Sequence, residues 1–291
     1  MLFRSYYNQA VTLDPKFALA YAGMTQAYVN LGASGADPTE LLAKGRAAAQ
    51  KALELDGSLA EAHSAMASIK KYEWDWSGAE SEYKRAIELN PNLAAAHSNY
   101  AGYLSQMGRT AEALAENKRA QELDPLRIGI KSSEGTILYW ARRYDEAIQV
   151  YRNVIKMQPD YAGAHLYLGY TYEAKGQYAE AIAEYQKEIS LNGETPSTLC
   201  YLGYAYAKSG KRDEALAILN KLKTMKEHVS PYELATLYLG LGDKEAALES
   251  LERAYRARDL QMQYLKVDSH FDALRSEARF QDLMRRVGLP Q

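Results

Sequence analysis

Three histidines, His63, His97 and His165, are separated by 34 and then 68 residues, and the chain carries one cysteine, Cys200. Imidazoles at regular spacing invite a metal site. A shared zinc would need each ring nitrogen at about 2 Å, whereas packed helices lie about 8–10 Å apart, so equivalent positions in successive units cannot hold one ion. Each histidine is therefore read as a partly buried packing residue. A lone cysteine forms neither an intramolecular disulfide nor a cysteine-based cluster. No basic neighbour in sequence activates Cys200 as a thiolate. Glu134 stands where other units carry Met66, Tyr100, Leu168 and Leu202, and Lys131 one turn earlier offers it a local ion pair. Phosphate-binding glycine loops, a nucleophile elbow and a helical His-Glu-x-x-His motif are absent from the sequence. The expectation is a protein that is no enzyme and takes neither cofactor nor metal.

The elements that carry these residues repeat. Ala79, Ala113, Ala147, Ala181 and Ala215 each follow the last by 34 residues, and Pro91, Pro125 and Pro159 keep the same interval. A period of this length predicts stacked helical hairpins in place of one globular core. In the stretch Ala162 to Thr195 a first helix carries Leu168 and Tyr172 and stops at Gly176, a residue that reaches positive φ without a Cβ penalty. A second helix then buries Tyr178, Ala181, Ile182, Tyr185 and Ile189, spaced by three and four. Gly108, Gly210 and Gly242 mark the same turn elsewhere, and Gly135, Gly169 and Gly203, with Ala67 and Ala101, keep the first helix thin.

This pattern resembles the tetratricopeptide repeat (TPR). The resemblance implies an all-α fold, a right-handed α-solenoid of antiparallel helix hairpins. The expected organisation is a single array over 1–291, with repeats near 18–59, 60–93, 94–127, 128–161, 162–195, 196–229 and 230–259. Residues 2–14 read as the lone second helix of a truncated repeat, with Met1 as a fragment boundary. Residues 260–291 read as a capping segment, with Ser276 as N-cap of a closing helix that buries Phe280, Leu283, Met284 and Val287. The first repeat is long, and Asp37-Pro38-Thr39-Glu40 has the form of a capping box opening its second helix. Phrases such as Tyr72-Glu73-Trp74-Asp75-Trp76, Val229-Ser230-Pro231-Tyr232-Glu233 and Phe271-Asp272-Ala273-Leu274-Arg275-Ser276 resemble the C-terminal repeat region of bacterial multidomain regulators. In those proteins winged-helix, Ser/Thr kinase or adenylate cyclase domains precede the repeats. That likeness implies a sensory or partner-binding module.

In tetratricopeptide arrays the first helices line the concave side, so columns at intervals of 34 give the groove. One runs Ser64, Ser98, Ser132, Leu166, Cys200; a second Ala65, Asn99, Ser133, Tyr167, Tyr201; a third Ser68, Gly102, Thr136, Tyr170, Tyr204. Tyr139 and Trp140 fall on two more. The surface thus changes from small and polar to aromatic along the chain. The aromatics either pack on one another across the groove or form a cradle for an extended peptide or partner helix. The candidate partner-binding residues are Ser64, Ser68, Ser98, Asn99, Thr136, Tyr139, Trp140, Tyr167, Tyr170, Tyr201 and Tyr204. The carboxylate-clamp residues of some family members are not matched, because serine, glycine, threonine and tyrosine fill the corresponding columns and only Asn99 is of a suitable type.

Charge excludes little else. Thirty-five basic against 37 acidic residues leave a formal net charge of -2, which favours no direct nucleic acid partner. Arg142-Arg143 and Arg285-Arg286 read as solvated helix faces. No apolar run reaches the length a membrane span needs, and Met1 to Val11 lacks the apolar stretch of a signal peptide. The expected location is therefore cytoplasmic. The function expected is a protein–protein interaction scaffold that serves as a regulatory arm. The alternatives are a small-molecule sensor coupled to an effector domain, and homo-oligomerisation through the exposed N-terminal half repeat.

Overall fold

The computed structural model describes residues 2–33 and 38–289, and all regular structure among them is helical. The helices in chain order are α1 Leu2–Leu13, α2 Ala18–Ala33, α3 Pro38–Leu55, α4 Ala60–Tyr72, α5 Trp76–Leu89, α6 Ala94–Gln106, α7 Thr110–Leu123 and α8 Ile128–Trp140. They continue with α9 Tyr144–Met157, α10 Ala162–Ala174, α11 Tyr178–Asn192, α12 Pro196–Lys208, α13 Arg212–Thr224, α14 Pro231–Gly240, α15 Lys244–Arg256 and α16 Ala278–Val287. Two 3-10 turns, Leu260–Tyr264 and Ser269–Leu274, lie between α15 and α16. Even-numbered helices from α2 to α14 are the first, or A, helices of successive hairpins, and odd-numbered ones from α3 to α15 the second, or B, helices. Asp37, the first residue of the expected capping box, lies outside the described residues.

The small-residue column decides the hairpin spacing. Ala79, Ala113, Ala147, Ala181, Ala215 and Ala247 are fully buried, so no side chain holds their helices apart. Tyr83, Tyr151 and Tyr185 are buried as completely and face the thin side of the A helix. A Cβ added at Gly135 would meet the Tyr151 ring at 2.6 Å, and one at Gly169 would meet Tyr185 at 2.4 Å. Glycine is required at these two positions by close approach, with no help from φ.

Turns follow the same register. Gly108, Gly176, Gly210 and Gly242 all have φ between 73° and 84°. Where the column lacks glycine the conformation persists, with Trp74 at φ 65° and Arg142 at φ 62°. The hairpin geometry therefore overrides a local preference worth about 1 kcal/mol. Prolines start helices where the chain must restart. Thr195 Oγ1 accepts from Thr198 N at 3.1 Å before α12, and Ser230 Oγ accepts from Glu233 N at 3.2 Å before α14.

The histidines serve this packing. His63, His97 and His165 each set Nδ1 2.6 Å from a B-helix carboxylate, Glu82, Glu116 and Glu184, nineteen residues on. Each Nε2 lies 3.0–3.2 Å from a backbone carbonyl in the preceding loop, at Gly57, Pro91 and Pro159. Three parts of a repeat are thus pinned by one ring. The fourth member of the column replaces both partners together, with Lys131 and Val150.

The chain divides into two units. Unit 1 comprises residues 1–104 and 111–126; unit 2 comprises 105–110 and 127–291. Unit 1 packs around Ala22, Ala52, Ala62 and Ala65. One buried cluster of unit 2 contains Leu199, Cys200, Ala215, Leu219, Leu222 and Leu237.

Candidate functional site

The A-helix face of unit 2 is covered by the chain itself. Beyond α15 the two 3-10 turns cross α8, α10, α12 and α14, and α16 then packs its buried Phe280, Leu283 and Val287 against the end of the unit. Tyr264 stacks on Trp140 at 5.0 Å between centroids and 15° between planes. His270 sits 5.4 Å from Tyr201 and 4.9 Å from Tyr204, ring to ring. Its Nε2 faces Glu173 Oε2 at 3.0 Å and its Nδ1 faces Asp268 Oδ1 at 2.6 Å. Tyr232 donates its hydroxyl to Asp268 Oδ2 at 2.8 Å.

Electrostatics follow from this geometry. Burial alone would lower the His270 pKa, but the Asp268 charge and the hydrogen bonds to Asp268 and Glu173 outweigh it and hold it at about 10. His270 is therefore an imidazolium between two carboxylates. Glu173 is pushed up by burial, against the pull of His270. Glu233, at the start of α14, is raised to about 7 by burial, while hydrogen bonds from Ser197 and Gln261 oppose the shift. Asp259 beside it accepts from Ser230 Oγ at 2.6 Å and from Tyr232 N at 3.4 Å. At the rim Arg142 donates both guanidinium nitrogens to Asp272, at 2.6 and 2.7 Å, so this arginine is no mere solvated face.

The aromatic candidates are thus brought together. Tyr139, Tyr170 and Tyr201 are buried, and Tyr167 and Tyr204 half-buried. Tyr170 lies 4.3 Å from Tyr201 and 5.4 Å from Tyr167, and Tyr139 lies 4.6 Å from Trp140, centroid to centroid. Cys200 is buried in the core, where its thiol is driven far above its ordinary pKa. Two hydroxyl candidates complete the core tyrosines: Ser68 Oγ is 3.3 Å from the Tyr83 hydroxyl, and Thr136 Oγ1 accepts from Tyr151 at 3.1 Å.

The remaining candidates belong to unit 1. There the A-helix face is open as a cleft of about 520 Å³, within the 300–1,000 Å³ range typical of ligand sites. Ser64 and Asn99 line it, and Asn99 Nδ2 donates to Ser64 Oγ at 3.2 Å. Ser98 is half-buried on the same helix but does not line the cleft. Tyr6 and Tyr7 of α1, with Phe17 and Leu19, form the apolar wall. Tyr6, Phe17 and Leu19 remain 62%, 44% and 45% exposed, so their surfaces are available to an occupant. Among the lining residues Glu61 is the one with a charge.

Four stretches of the chain match models of the tetratricopeptide repeat, at residues 82–115, 133–197, 198–224 and 232–259, and together they span more than half of it. The chain is a tetratricopeptide repeat protein. Solved structures agree at the level of fold. One is a tetratricopeptide repeat protein from Parabacteroides merdae, with a TM-score of 0.58 at 14% identity, over 93% of this chain and 98% of that one. Another is the Cut9–Hcn1 assembly of the APC/C, with a TM-score of 0.65 at 17% identity, over 98% of this chain and 52% of that one. The pilF protein of Pseudomonas aeruginosa gives 0.50 at 22% identity, over 68% and 90%. No curated protein sequence matches significantly. Tetratricopeptide repeat proteins are in general non-enzymatic scaffolds that bind proteins or peptides. No helix among the described residues is long and apolar enough to cross a membrane.

Sequence reasoning missed the crossing segment. A cap was expected from 260 onward, yet only α16 caps, and it starts at Ala278 with Glu277 as N-cap, so Ser276 has no capping role. The signal lay in Asp259 and Asp268, each of which starts a 3-10 turn with its own side chain. It also missed Glu173, which reads as a surface residue late in a first helix, and Tyr6 and Tyr7, which no 34-residue column reaches.

Proposed function

We propose that this protein is an interaction scaffold whose unit-1 cleft takes a short segment of a partner protein. The observation that carries the reading is the contrast between the two A-helix faces. In unit 2 the face is filled by residues 259–275, which supports a segment of chain as the occupant of such a face. In unit 1 the corresponding face presents an open cleft with aromatic walls, an amide at Asn99 and one carboxylate at Glu61. Rigid tyrosines and an amide supply contact area and hydrogen bonds at low entropic cost. The single charge selects a cationic residue, so the occupant is an extended peptide with an apolar or aromatic side chain beside a lysine or arginine. The likeness of the sequence to regulator C-terminal regions supports a place as a regulatory arm that brings an effector to its partner.

The test is fluorescence anisotropy with labelled 12-residue peptides, basic and acidic, each carrying one aromatic residue. Basic peptides should bind the full chain, and both Glu61→Lys and Tyr7→Ala should weaken them about tenfold or more, with helicity unchanged. Equal affinity of wild type and both variants would remove the cleft from the binding site.

A further inference from the structure

Residues 259–275 form a loop closed at its base. The helices on either side hold each other: Arg279 Nη1 meets Glu245 Oε1 and Arg286 Nη2 meets Glu252 Oε1, each at 2.5 Å. Leaving the A-helix face keeps these α15–α16 ion pairs and costs α16 the contact of Phe280 with Phe271, 6.0 Å between ring centroids. The loop also carries its own shape. Asp259 Oδ1 accepts from Gln261 N at 3.0 Å and Asp268 Oδ1 from His270 N at 2.9 Å, so both 3-10 turns are started by local hydrogen bonds.

Its attachments to the face are made helix by helix, as a solenoid holds an extended peptide. Tyr264 lies on Trp140 of α8, and Asp272 clasps Arg142 just beyond the same helix. The histidine enters α10 and α12, between Glu173 and two tyrosine rings. Gln261 Nε2 donates to Glu233 of α14 at 3.3 Å. A carboxylate buried as Glu173 is buried is strongly unfavourable without a cation. His270 supplies Glu173 with that partner, and Tyr201 and Tyr204 flank the same ring, so the face favours a flat, basic side chain at this point.

We propose that the A-helix face of unit 2 is a second peptide-binding site, with residues 259–275 as its resident ligand. An incoming segment gains the site by presenting the same chemistry, an aspartate two residues before a histidine that is followed by an aromatic, as in Asp268-Ser269-His270-Phe271. Both ends of the resident loop are tethered, which gives it a high effective concentration and keeps the site closed until a strong competitor or a weakened loop opens it. The idea rests on the reading that A-helix faces take peptides. It concerns unit 2 alone, so the Glu61 and Tyr7 variants leave its test unaffected.

The test uses the full chain and a labelled peptide of residues 258–277. Wild type should bind this peptide weakly. The loop variant H270A/F271A, whose face is intact, should bind it at least tenfold more tightly, and adding E173A to that variant should reverse the gain. In hydrogen exchange of the wild type, amides of 260–275 should exchange at least tenfold faster than those of α10 and α12, reporting an opening short of global unfolding. A helical, cooperatively melting H270A/F271A chain that gains no affinity would overturn the proposal. Should that variant fail to fold, the exchange experiment decides: loop amides as protected as α10 and α12 would make the segment part of the core.

Discussion

Arg142 joins two constraints at one residue. Its φ of 62° belongs to a turn that four equivalent positions fill with glycine, and its guanidinium makes the bidentate contact with Asp272. The left-handed backbone is tolerated because the side chain does something glycine cannot. Gly169 is the opposite case, a position defined by what must not be there. A methyl group would lie 2.4 Å from the Tyr185 ring, which is fully buried and bounded by Tyr170 at 5.9 Å between centroids. Ala67, in the same column beside Tyr83, shows that the fold can accept one carbon where the surrounding packing is built for it. At Gly169 the ring must move instead. We expect Gly169→Ala to destabilise unit 2 by about 1–3 kcal/mol, read as a lower denaturation midpoint at an unchanged m-value. A midpoint equal to wild type would mean that the Tyr185 ring has room the structure does not show.

At the level of elements, the histidine–glutamate–carbonyl arrangement makes each hairpin one mechanical piece, because a single ring ties A helix, B helix and the loop before them. The equivalent positions of the sixth repeat are Leu199 and Ile218, a wholly apolar solution to the same contact. A matched exchange should therefore be mild and a mismatched one severe. His165→Leu alone leaves the Glu184 carboxylate facing an apolar neighbour, and Glu184→Ile alone leaves His165 Nδ1 without its acceptor. The double variant H165L/E184I should be more stable than the sum of the single losses allows, with a coupling of about 1 kcal/mol or more in denaturant titrations. Strict additivity would show that the pair does not interact. The periodic layer was legible in the sequence, since columns at 34 give helix starts, turn glycines and buried alanines directly. The Glu partners of the histidines were not, although they keep the same interval, because charged residues on a B helix read as solvent-facing. The crossing segment was less legible still. It has no helical periodicity, and its contacts, such as His270 with Glu173, join residues 97 apart that no repeat rule connects.

For the molecule as a whole, pH reaches unit 2 through two buried groups, Glu233 and His270. Glu233 has a folded pKa of about 7 against an ordinary value of 4.5, raised first by burial and further by Asp259. A carboxyl raised on folding contributes stability that is complete below its unfolded value and is lost as pH climbs through 7. His270 has a folded pKa of about 10 against 6.5, with Asp268 and Glu173 as its charged neighbours and Tyr201 and Tyr204 on its faces. Its contribution is complete below 6.5 and is lost as pH climbs through 10. Both signs agree, so unit 2 should lose stability as pH rises from about 5 to about 10. The loss should occur in two steps with separate owners. Glu233→Gln should flatten the step between pH 5 and 7 and leave the upper one, whereas His270→Gln should flatten the step between pH 7 and 10. Melting followed by hydrogen exchange or by near-ultraviolet dichroism separates unit 2, rich in packed tyrosines, from unit 1. If unit 2 grew more stable from pH 5 to pH 10, the imidazolium would not be what holds residues 259–275 against the A-helix face.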